Sequence, residues 1–400
     1  MIRNGLLTSP GSRTALTQVT HSNSVVPTCL KSNSTRMIQA SNQAQTQVLS
    51  SHRTSPWNIR RTRRNQYSVG VVTTKPAKHP SISGESYAPP TTGILSALPS
   101  SWVPYAELIR MDKPTGTYYL FFPCIFSTLL AAPLATPMAT PSSVIGFAFL
   151  FFSGAIVMRG AGCTINDLWD RNLDPHVRRT RLRPIARGAV TPFKALVFTG
   201  AQLLTGLVIL VQFPPQCLWY GIPSLLFVAS YPLAKRVTHY PQIILGLTFS
   251  WGAFMGFPAL GIDLLQNSAA MTAGSCLYAS NVAWTVLYDM IYAHMDIKDD
   301  AKAGIKSIAL RHNEETKRVL SGLAVVQISL LATAGVASGA GPAFFITSCG
   351  GAALSLAVMI KRVNLKSVKD CWWWFVNGCW ITGGTISAGM GLEYAIRYVG

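Results

Sequence analysis

Long apolar stretches, separated by short polar connections, run from residue 116 to the end of the chain. Each stretch holds 17 to 24 residues, and a helix of about 20 apolar residues crosses the hydrocarbon core of a bilayer. They occupy residues 116–133, 144–165, 194–212, 217–233, 243–261, 270–293, 319–339, 342–360 and 372–395. The pattern therefore predicts an all-α integral membrane protein, a bundle of nine transmembrane helices. In the fifth stretch, Gly252 and Gly256 form a small-xxx-small pair that favours close helix packing.

The region before the first apolar stretch has a different character. Residues 1–84 contain eleven Lys or Arg and no acid, a composition typical of a mitochondrial transit peptide followed by a disordered basic segment. A disordered basic tail on a protein of another membrane is the alternative. Residues 97–112 combine Trp, Tyr and scattered charge, which predicts an interfacial helix. We therefore divide the chain into a transit segment at 1–84, a linker with an interfacial helix at 85–115 and a transmembrane domain at 116–400.

The composition supports a membrane protein and excludes several other classes. Charged residues make up 12% of the chain and the mean hydropathy is +0.30, whereas soluble domains carry about 25% charged residues. The eight Cys residues form no CxxC pair, so we read them as small apolar residues without a metal or redox role. We expect a lipid bilayer as the surroundings of this protein and no nucleic acid as a partner.

Lys and Arg are unevenly distributed among the connections. The connections after the second, fourth, sixth and eighth stretches hold nineteen of them, and those after the third, fifth and seventh hold none. This asymmetry is the positive-inside pattern. It places the basic connections on one side of the membrane, which in a mitochondrion would be the matrix.

Acidic residues are rare and concentrated in two segments on that same side. Only fifteen of the 400 residues are Asp or Glu. Seven of them lie at Asp167, Asp170, Asp174, Asp289, Asp296, Asp299 and Asp300. On a helix, the spacing of the first three places them on one face, and Asp289 to Asp296 spans two turns.

Clustered carboxylates raise each other's pKa unless a cation lies between them. Ligand sets made of oxygen alone suit Mg²⁺, which usually shares its coordination with substrate phosphates. We therefore predict Mg²⁺ sites that hold one diphosphate from both sides, with Asn166 and the seven carboxylates as candidate ligands. Solvated loops with helix-capping Asp, or a cation or proton pathway, would also explain the pattern.

Basic residues beside the acidic segments are candidates for diphosphate binding. Lys113 and Lys235 each stand at the end of a predicted span, and Arg178 begins a run of arginines after the first acidic segment. Arg159 is a separate case, because it lies within the second span, where a charge is costly. It should pair with an anion, either one of the Asp residues or a substrate carboxylate.

The acidic segments resemble the two aspartate motifs of the UbiA superfamily of intramembrane aromatic prenyltransferases. NDLWDRNLD, starting at Asn166, matches the pattern NDxxDxxxD, and YDMIYAHMDIKDD, starting at Tyr288, resembles the second motif. Further stretches resemble the branch of mitochondrial 4-hydroxybenzoate polyprenyltransferases in ubiquinone biosynthesis, among them RMDKPTGTYYLFFPC, MRGAGCTINDLWD and RPIARGAVT. The resemblance covers residues 100–400 and is weak after residue 320. Met295 departs from the pattern, since this branch usually has Gln there.

The resemblance implies a fold, a reaction and a location. The fold would be a helical bundle around a central cavity open to lipid. The reaction would join an all-trans polyprenyl diphosphate to 4-hydroxybenzoate, at the carbon ortho to the hydroxyl, with Mg²⁺ as cofactor. The protein would span the inner mitochondrial membrane with its active site facing the matrix, and other ubiquinone-biosynthesis proteins would be possible partners.

The resemblance also implies roles for individual residues. Asn166, Asp170 and Asp174 would belong to the first Mg²⁺–diphosphate site, and Asp289, Asp296 and Asp300 to the second. Arg159 occupies the position where family members bind the benzoate carboxylate. Aromatic rings stabilise a nearby cation, so the candidates to face an allylic cation are Tyr118, Tyr231, Tyr288 and Tyr292. The same motifs leave open an enzyme for a specialised-metabolism phenol, and composition alone leaves open a cation-coupled transporter.

Overall fold

A computed structural model describes residues 87–400, apart from residues 178 and 304–305 and the side chains of residues 231–233, 235, 236 and 303. The transit segment predicted at 1–84 lies outside these residues. The described chain is helical, without a strand. Its α-helices are α1 (Val103–Leu108), α2 (Thr115–Ala131), α3 (Pro141–Trp169), α4 (Pro192–Leu210), α5 (Gln216–Gly221), α6 (Ser224–Val237), α7 (Pro241–Phe249), α8 (Gly252–Ala259), α9 (Ser268–Ala293), α10 (Ile297–Ala303), α11 (Ile308–Arg311), α12 (Thr316–Ala337), α13 (Gly351–Arg362) and α14 (Val368–Val399). A π-helical segment, Phe344–Gly350, leads directly into α13.

The starts of the long helices follow from local sequence signals. Thr140 and Thr191 each precede a proline, and their side chains accept a hydrogen bond from the amide three residues on. Asn267 caps α9 in the same way. An oxygen-bearing cap followed by proline satisfies amides that have no partner within the helix. These short signals place the beginnings of α3, α4 and α9.

Six helical segments of the described chain are long and apolar enough to cross a membrane. They are Thr115–Leu134, Pro141–Trp169, Pro192–Leu210, Pro241–Ala259, Thr316–Ala337 and Phe344–Arg362. The other three predicted stretches are also helical but do not combine the required length with the required hydropathy. Pro223 separates α5 from α6, so neither helix is long enough. The long helices α9 and α14 carry more polar residues than the six segments above. The prediction of helical membrane segments is therefore confirmed, whereas the count of nine stays a prediction.

The polarity of α9 follows from its position inside the bundle. It packs along α12 and also against α2, α7, α8 and α14. Trp284, at its centre, lies 5.4–6.1 Å, ring to ring, from Tyr119, Phe122 and Phe126 of α2. The hydroxyl of Ser280 donates to a carbonyl of α12 at 2.8 Å. A helix that other helices shield from lipid does not need an apolar outer face, which explains why α9 carries polar residues.

The helices α2 and α8 approach each other closely at the two predicted small residues. The amide of Gly256 donates to the Ser127 hydroxyl at 3.0 Å, and that hydroxyl donates to the carbonyl of Gly252 at 2.8 Å. A Cβ at residue 256 would lie 2.6 Å from the Ser127 oxygen and still closer to the backbone of α2. The absence of a side chain at this position therefore permits the contact.

We expect Gly256→Ala to lower the thermal stability of the purified protein, because the added methyl group must push α8 away from α2. Overpacking of this kind costs about 1–3 kcal/mol. The control is Gly322→Ala in α12, where a Cβ would meet nothing within 4 Å. Unfolding in detergent, followed by circular dichroism, should show a lower midpoint for the first variant only. Equal midpoints would contradict the close approach.

Candidate active site

The first acidic segment turns away from the helix axis. α3 ends at Trp169, and Asp170 is its C-cap with φ −89° and ψ 5°. The amide of Asp174 then donates to the carbonyl of Asp170 at 2.8 Å, and a 3-10 turn follows at Asp174–His176. Asp167 therefore lies on the last turn of the helix, and the next two acids lie beyond it. The prediction that all three share one face of a continuous helix is wrong, because the chain turns at Asp170.

Asp167 is completely buried and is balanced by two arginines. Both of its oxygens accept from Nη2 of Arg110, at 2.8 and 2.9 Å, and Nη1 of Arg183 lies 3.1 Å away. Arg110 has φ 59°, which is uncommon for a residue other than glycine. Its Nη1 also donates to the carbonyl of Glu107 at 2.9 Å. These bonds fix the approach to α2 against the end of α3. The predicted role of Asp167 as a Mg²⁺ ligand stays a prediction.

Arg183 also binds Asp174, which extends this network into the loop after α3. Its Nη1 lies 3.0 and 3.1 Å from the two carboxylate oxygens. Burial raises the pKa of Asp174; Arg183 opposes the rise, and the carboxylates of Asp167 and Asp170 add to it. A further cation among these carboxylates would favour their charged forms.

The second acidic segment is interrupted in a similar way. α9 ends at Ala293, a turn covers residues 294–296, and α10 begins at Ile297. Asp289 therefore lies on α9, whereas Asp299 and Asp300 lie on α10. The prediction of two unbroken helical turns between Asp289 and Asp296 is wrong, because the helix ends between them.

Arg179 connects the two acidic segments. Its Nε lies 2.8 Å from both carboxylate oxygens of Asp296, and its Nη1 donates to the Tyr292 hydroxyl at 2.9 Å. The guanidinium carbon lies 5.4 Å from the centre of the Tyr292 ring. The loop after α3 and the end of α9 therefore meet at one place, whereas the shared diphosphate site of the two acidic segments stays a prediction.

Tyr87, at the start of the described chain, belongs to the same region. Its hydroxyl donates to Oε1 of Glu107 at 2.8 Å, and Arg187 donates to Oε2 at 2.6 Å. The Arg187 guanidinium carbon lies 3.6 Å from the centre of the Tyr87 ring. Burial, followed by the hydrogen bond to Glu107, raises the pKa of Tyr87, so the phenol remains a hydrogen-bond donor. The segment before α1 is thus held against Glu107 and Arg187.

A cavity of about 1090 Å³ extends from this polar region into the helices. We call its polar end the mouth. Its polar part is lined by Arg110, Lys113, Asn166, Asp167, Arg179, Arg183, Asp289 and Tyr292. Its apolar part is lined by Leu150, Phe151, Leu210, Phe213, Met255 and similar residues. Along α3 the lining runs from Leu150 to Asp167, which is about 25 Å at 1.5 Å per residue. The shape suits a long apolar molecule with a charged head.

One wall of the cavity is also part of the outer surface. Leu204 and Leu207 of α4, Ile222 after α5 and Leu225 of α6 line the cavity and are 66%, 48%, 52% and 41% exposed. The α4 helix is otherwise among the least enclosed, with an apolar surface that suits lipid. The cavity therefore opens sideways between α4 and α6, towards the region that the lipid bilayer would occupy.

Arg159 lies in the cavity wall, about 10 Å deeper than Asn166. It forms no ion pair with an acid among the described residues, and its buried Nε has no hydrogen-bond partner there. Its Nη1 donates to the sulfur of Cys163, one turn further along α3. Of the two predicted partners of this arginine, a protein carboxylate is therefore not within ion-pair distance among the described residues, and the substrate carboxylate stays a prediction.

The remaining predicted residues have mixed outcomes. Tyr288 and Tyr292 line the cavity, whereas Tyr118 packs on Trp380 with ring centres 4.5 Å apart. Lys113 lines the mouth and pairs with Asp112 at 2.9 Å. The predictions for Arg178 and for the side chains of Tyr231 and Lys235 fall outside the described residues.

Three residues at the site escaped the sequence analysis. Arg110, Glu107 and Tyr119 were not among the candidate residues. Glu107 carries one possible signal, because it is an acid in a chain with only fifteen. Tyr119 lies in the cavity wall and stacks on Tyr288 at 3.5 Å, but its spacing is that of any packed aromatic residue.

Comparison with known proteins decides the family. The profile of the UbiA prenyltransferase family matches residues 120–382. The chain belongs to this family. The mitochondrial 4-hydroxybenzoate polyprenyltransferase of Saccharomyces cerevisiae is 46% identical over 308 residues, 76% of this chain and 80% of that protein. The proteins of the same name from Schizosaccharomyces pombe and Arabidopsis thaliana are 45% and 43% identical, over 74% and 73% of this chain and 81% and 69% of their own.

Solved structures of UbiA homologues share the fold. The apo homologue from Aeropyrum pernix superposes with a TM-score of 0.55 at 20% identity, over 71% of this chain and 98% of that one. The homologue from Archaeoglobus fulgidus bound to DMAPP and Mg²⁺ has a TM-score of 0.52 at 15% identity, over 73% and 99%. These membrane proteins confirm the helical UbiA fold of the present chain.

The oxygen donors of this UbiA site fit Mg²⁺. Asn166 of α3 and Asp289 of α9 line the cavity. Among the described residues, no group of three His, Cys, Asp or Glu side chains stands close enough to hold a metal alone. Mg²⁺ does not need such a group, because it binds through one or two carboxylates and shares itself with phosphates and waters.

We expect Asp167→Asn to destabilise the protein, because it removes the charge that balances two partly buried arginines. Breaking a buried pair costs about 3–5 kcal/mol. The control is Asp112→Asn, whose exposed pair with Lys113 should contribute little. Thermal unfolding of both purified variants checks this. A normal midpoint for Asp167→Asn, with weakened Mg²⁺ binding, would instead support the metal-ligand role.

Proposed function

We propose that this UbiA-family protein transfers a polyprenyl group from an all-trans polyprenyl diphosphate to 4-hydroxybenzoate, at the carbon ortho to the hydroxyl, in ubiquinone biosynthesis. The observation that carries the proposal is the joining of both acidic segments at the mouth of a long apolar cavity. The shared name of the relatives supports 4-hydroxybenzoate over a specialised phenol. Membership in a prenyltransferase family disfavours a cation-coupled transporter.

The mouth is where the diphosphate would bind. Asn166, Asp170 and Asp174 on one side, and Asp289, Asp296 and Asp300 on the other, are the proposed Mg²⁺ ligands. Bound Mg²⁺ would act as a Lewis acid on the departing diphosphate; the archaeal homologue was solved with DMAPP and Mg²⁺ bound. Lys113 and Arg179 line the mouth, and their positive charges would hold the phosphate oxygens.

The reaction itself needs a protected allylic carbon beside an electron-rich ring. The bond between the allylic carbon and the diphosphate oxygen breaks, and the electrons stay with the diphosphate. The carbon ortho to the phenol hydroxyl then forms the new bond, and its proton passes to the departed diphosphate or to an Asp of the second acidic segment. Tyr288 and Tyr292 face the cavity, where their rings would stabilise the positive charge and exclude water.

Arg159 is the proposed partner of the acceptor carboxylate. Its position below the mouth leaves the ring close to the carbon that leaves the diphosphate. Its Nε has no partner among the described residues, and no described acid forms an ion pair with its guanidinium. A bidentate guanidinium–carboxylate pair would orient the ring as well as hold it.

The sideways opening is the proposed entrance for the isoprenoid tail. A tail that enters between α4 and α6 can remain partly in the bilayer, so the length of the cavity does not limit the length of the tail. We also propose nine membrane spans, with α5–α6, α9 and α14 crossing as well. The positive-inside pattern and the mitochondrial relatives support an inner-membrane location with the mouth facing the matrix.

We expect the purified protein in phospholipid vesicles to prenylate 4-hydroxybenzoate only in the presence of Mg²⁺. Asp170→Asn and Asp296→Asn should each remove most of this activity, because a shared two-ion site does not tolerate loss of one side. Detection of the prenylated acid by mass spectrometry checks this. The control, Asp263→Asn, changes an acid in the connection between α8 and α9 and should keep full activity. Normal turnover by both active-site variants would refute the diphosphate site.

We expect Arg159→Ala to raise the KM for 4-hydroxybenzoate more than the KM for polyprenyl diphosphate. A charge-assisted pair in a dry site is worth about 1.5–3 kcal/mol, roughly ten- to a hundredfold. Arg159→Lys should restore little, because lysine does not bind a carboxylate bidentately. A phenol without the carboxylate should be affected less. Equal losses for both acceptors would mean that Arg159 has a structural role.

A further inference from the structure

The position of the Arg159 guanidinium depends on a residue that carries no functional group. Gly116 lies in the first turn of α2, is buried and lines the cavity opposite α3. A Cβ at this position would lie 2.7 Å from Nη2 and 2.8 Å from Cζ of Arg159, and closer still to Nε. These distances are shorter than van der Waals contact. The guanidinium therefore occupies the space that any other residue at position 116 would fill.

The atoms in this contact determine what a larger residue would change. All three belong to the end of a long, flexible side chain, and no backbone atom of α3 is among them. At Gly256, by contrast, the nearest atoms belong to the backbone of α2. A methyl group at residue 116 can thus be accommodated by rotation of the arginine, without separation of the helices. The fold would persist while the guanidinium moved.

We propose that Gly116 is a positioning residue for the aromatic acceptor, because it leaves the space in which Arg159 presents its guanidinium to a carboxylate. On the opposite side, Cys163 accepts a hydrogen bond from Nη1, so the group is held between α2 and its own helix. This inference rests on the proposed function of Arg159. It adds that the selectivity for a carboxylated phenol depends on position 116 as well as on the arginine.

The test compares Gly116→Ala with Gly162→Ala in phospholipid vesicles. Both glycines are helical and line the cavity, but a Cβ at 162 would meet nothing within 4 Å. Gly116→Ala should raise the KM for 4-hydroxybenzoate roughly ten- to a hundredfold, since a displacement of about 1 Å has effects of this size. The KM for polyprenyl diphosphate and the thermal midpoint should change little. Gly162→Ala serves as the steric control and should show no selective rise.

A double-mutant cycle separates positioning from a direct effect. In the Arg159→Ala background, Gly116→Ala should have no further effect on the KM for 4-hydroxybenzoate, because the group it displaces is gone. Additive losses, or a normal KM in the single variant, would overturn the inference. Failure of the unmutated protein to prenylate 4-hydroxybenzoate would instead refute the proposed function, so the two failures are distinguishable.

Discussion

A buried carboxylate, Asp167, imposes the main constraint on this structure. A charge without access to water is costly unless oppositely charged groups surround it. Arg110 approaches from the segment before α2, in a left-handed backbone conformation, and Arg183 approaches from the loop after α3. Because Arg183 also holds Asp174, one ionised side chain fixes the start of α2, the end of α3 and the loop between α3 and α4. The mouth of the cavity takes its shape from these bonds.

The same loop provides the link to the second half of the molecule. Arg179 follows the first acidic segment in sequence but binds the second, through Asp296 and Tyr292. Arginines of this one loop thus pair with acids of both segments, Arg183 with Asp174 and Arg179 with Asp296. This arrangement gathers carboxylates at the mouth, whereas among the described residues that line the cavity beneath it most are apolar and Arg159 is the deep charge.

Much of this architecture follows from local patterns in the sequence. Apolar stretches, capping residues and the rarity of acids lead to the helices and to the acidic motifs. The geometry of those motifs does not follow, since the spacing argument assumed that α3 continued past Trp169 and that α9 continued to Asp296. The sequence also did not predict the partners of Asp167 or the contact between Gly116 and Arg159. They join residues far apart in the chain, and a glycine shows its role only when the side chain opposite it is known.

The tie between Tyr87 and the cavity mouth has a consequence for maturation. The Tyr87 ring covers the guanidinium of Arg187, and its hydroxyl is bound to Glu107, so Tyr87 forms part of the wall of the mouth. A processing protease that removed residues up to 86 would leave these contacts of Tyr87 in place. Cleavage one residue further would expose one face of Arg187 and take a hydrogen bond from Glu107. If the predicted transit segment is removed, the new amino terminus is therefore expected no later than Tyr87.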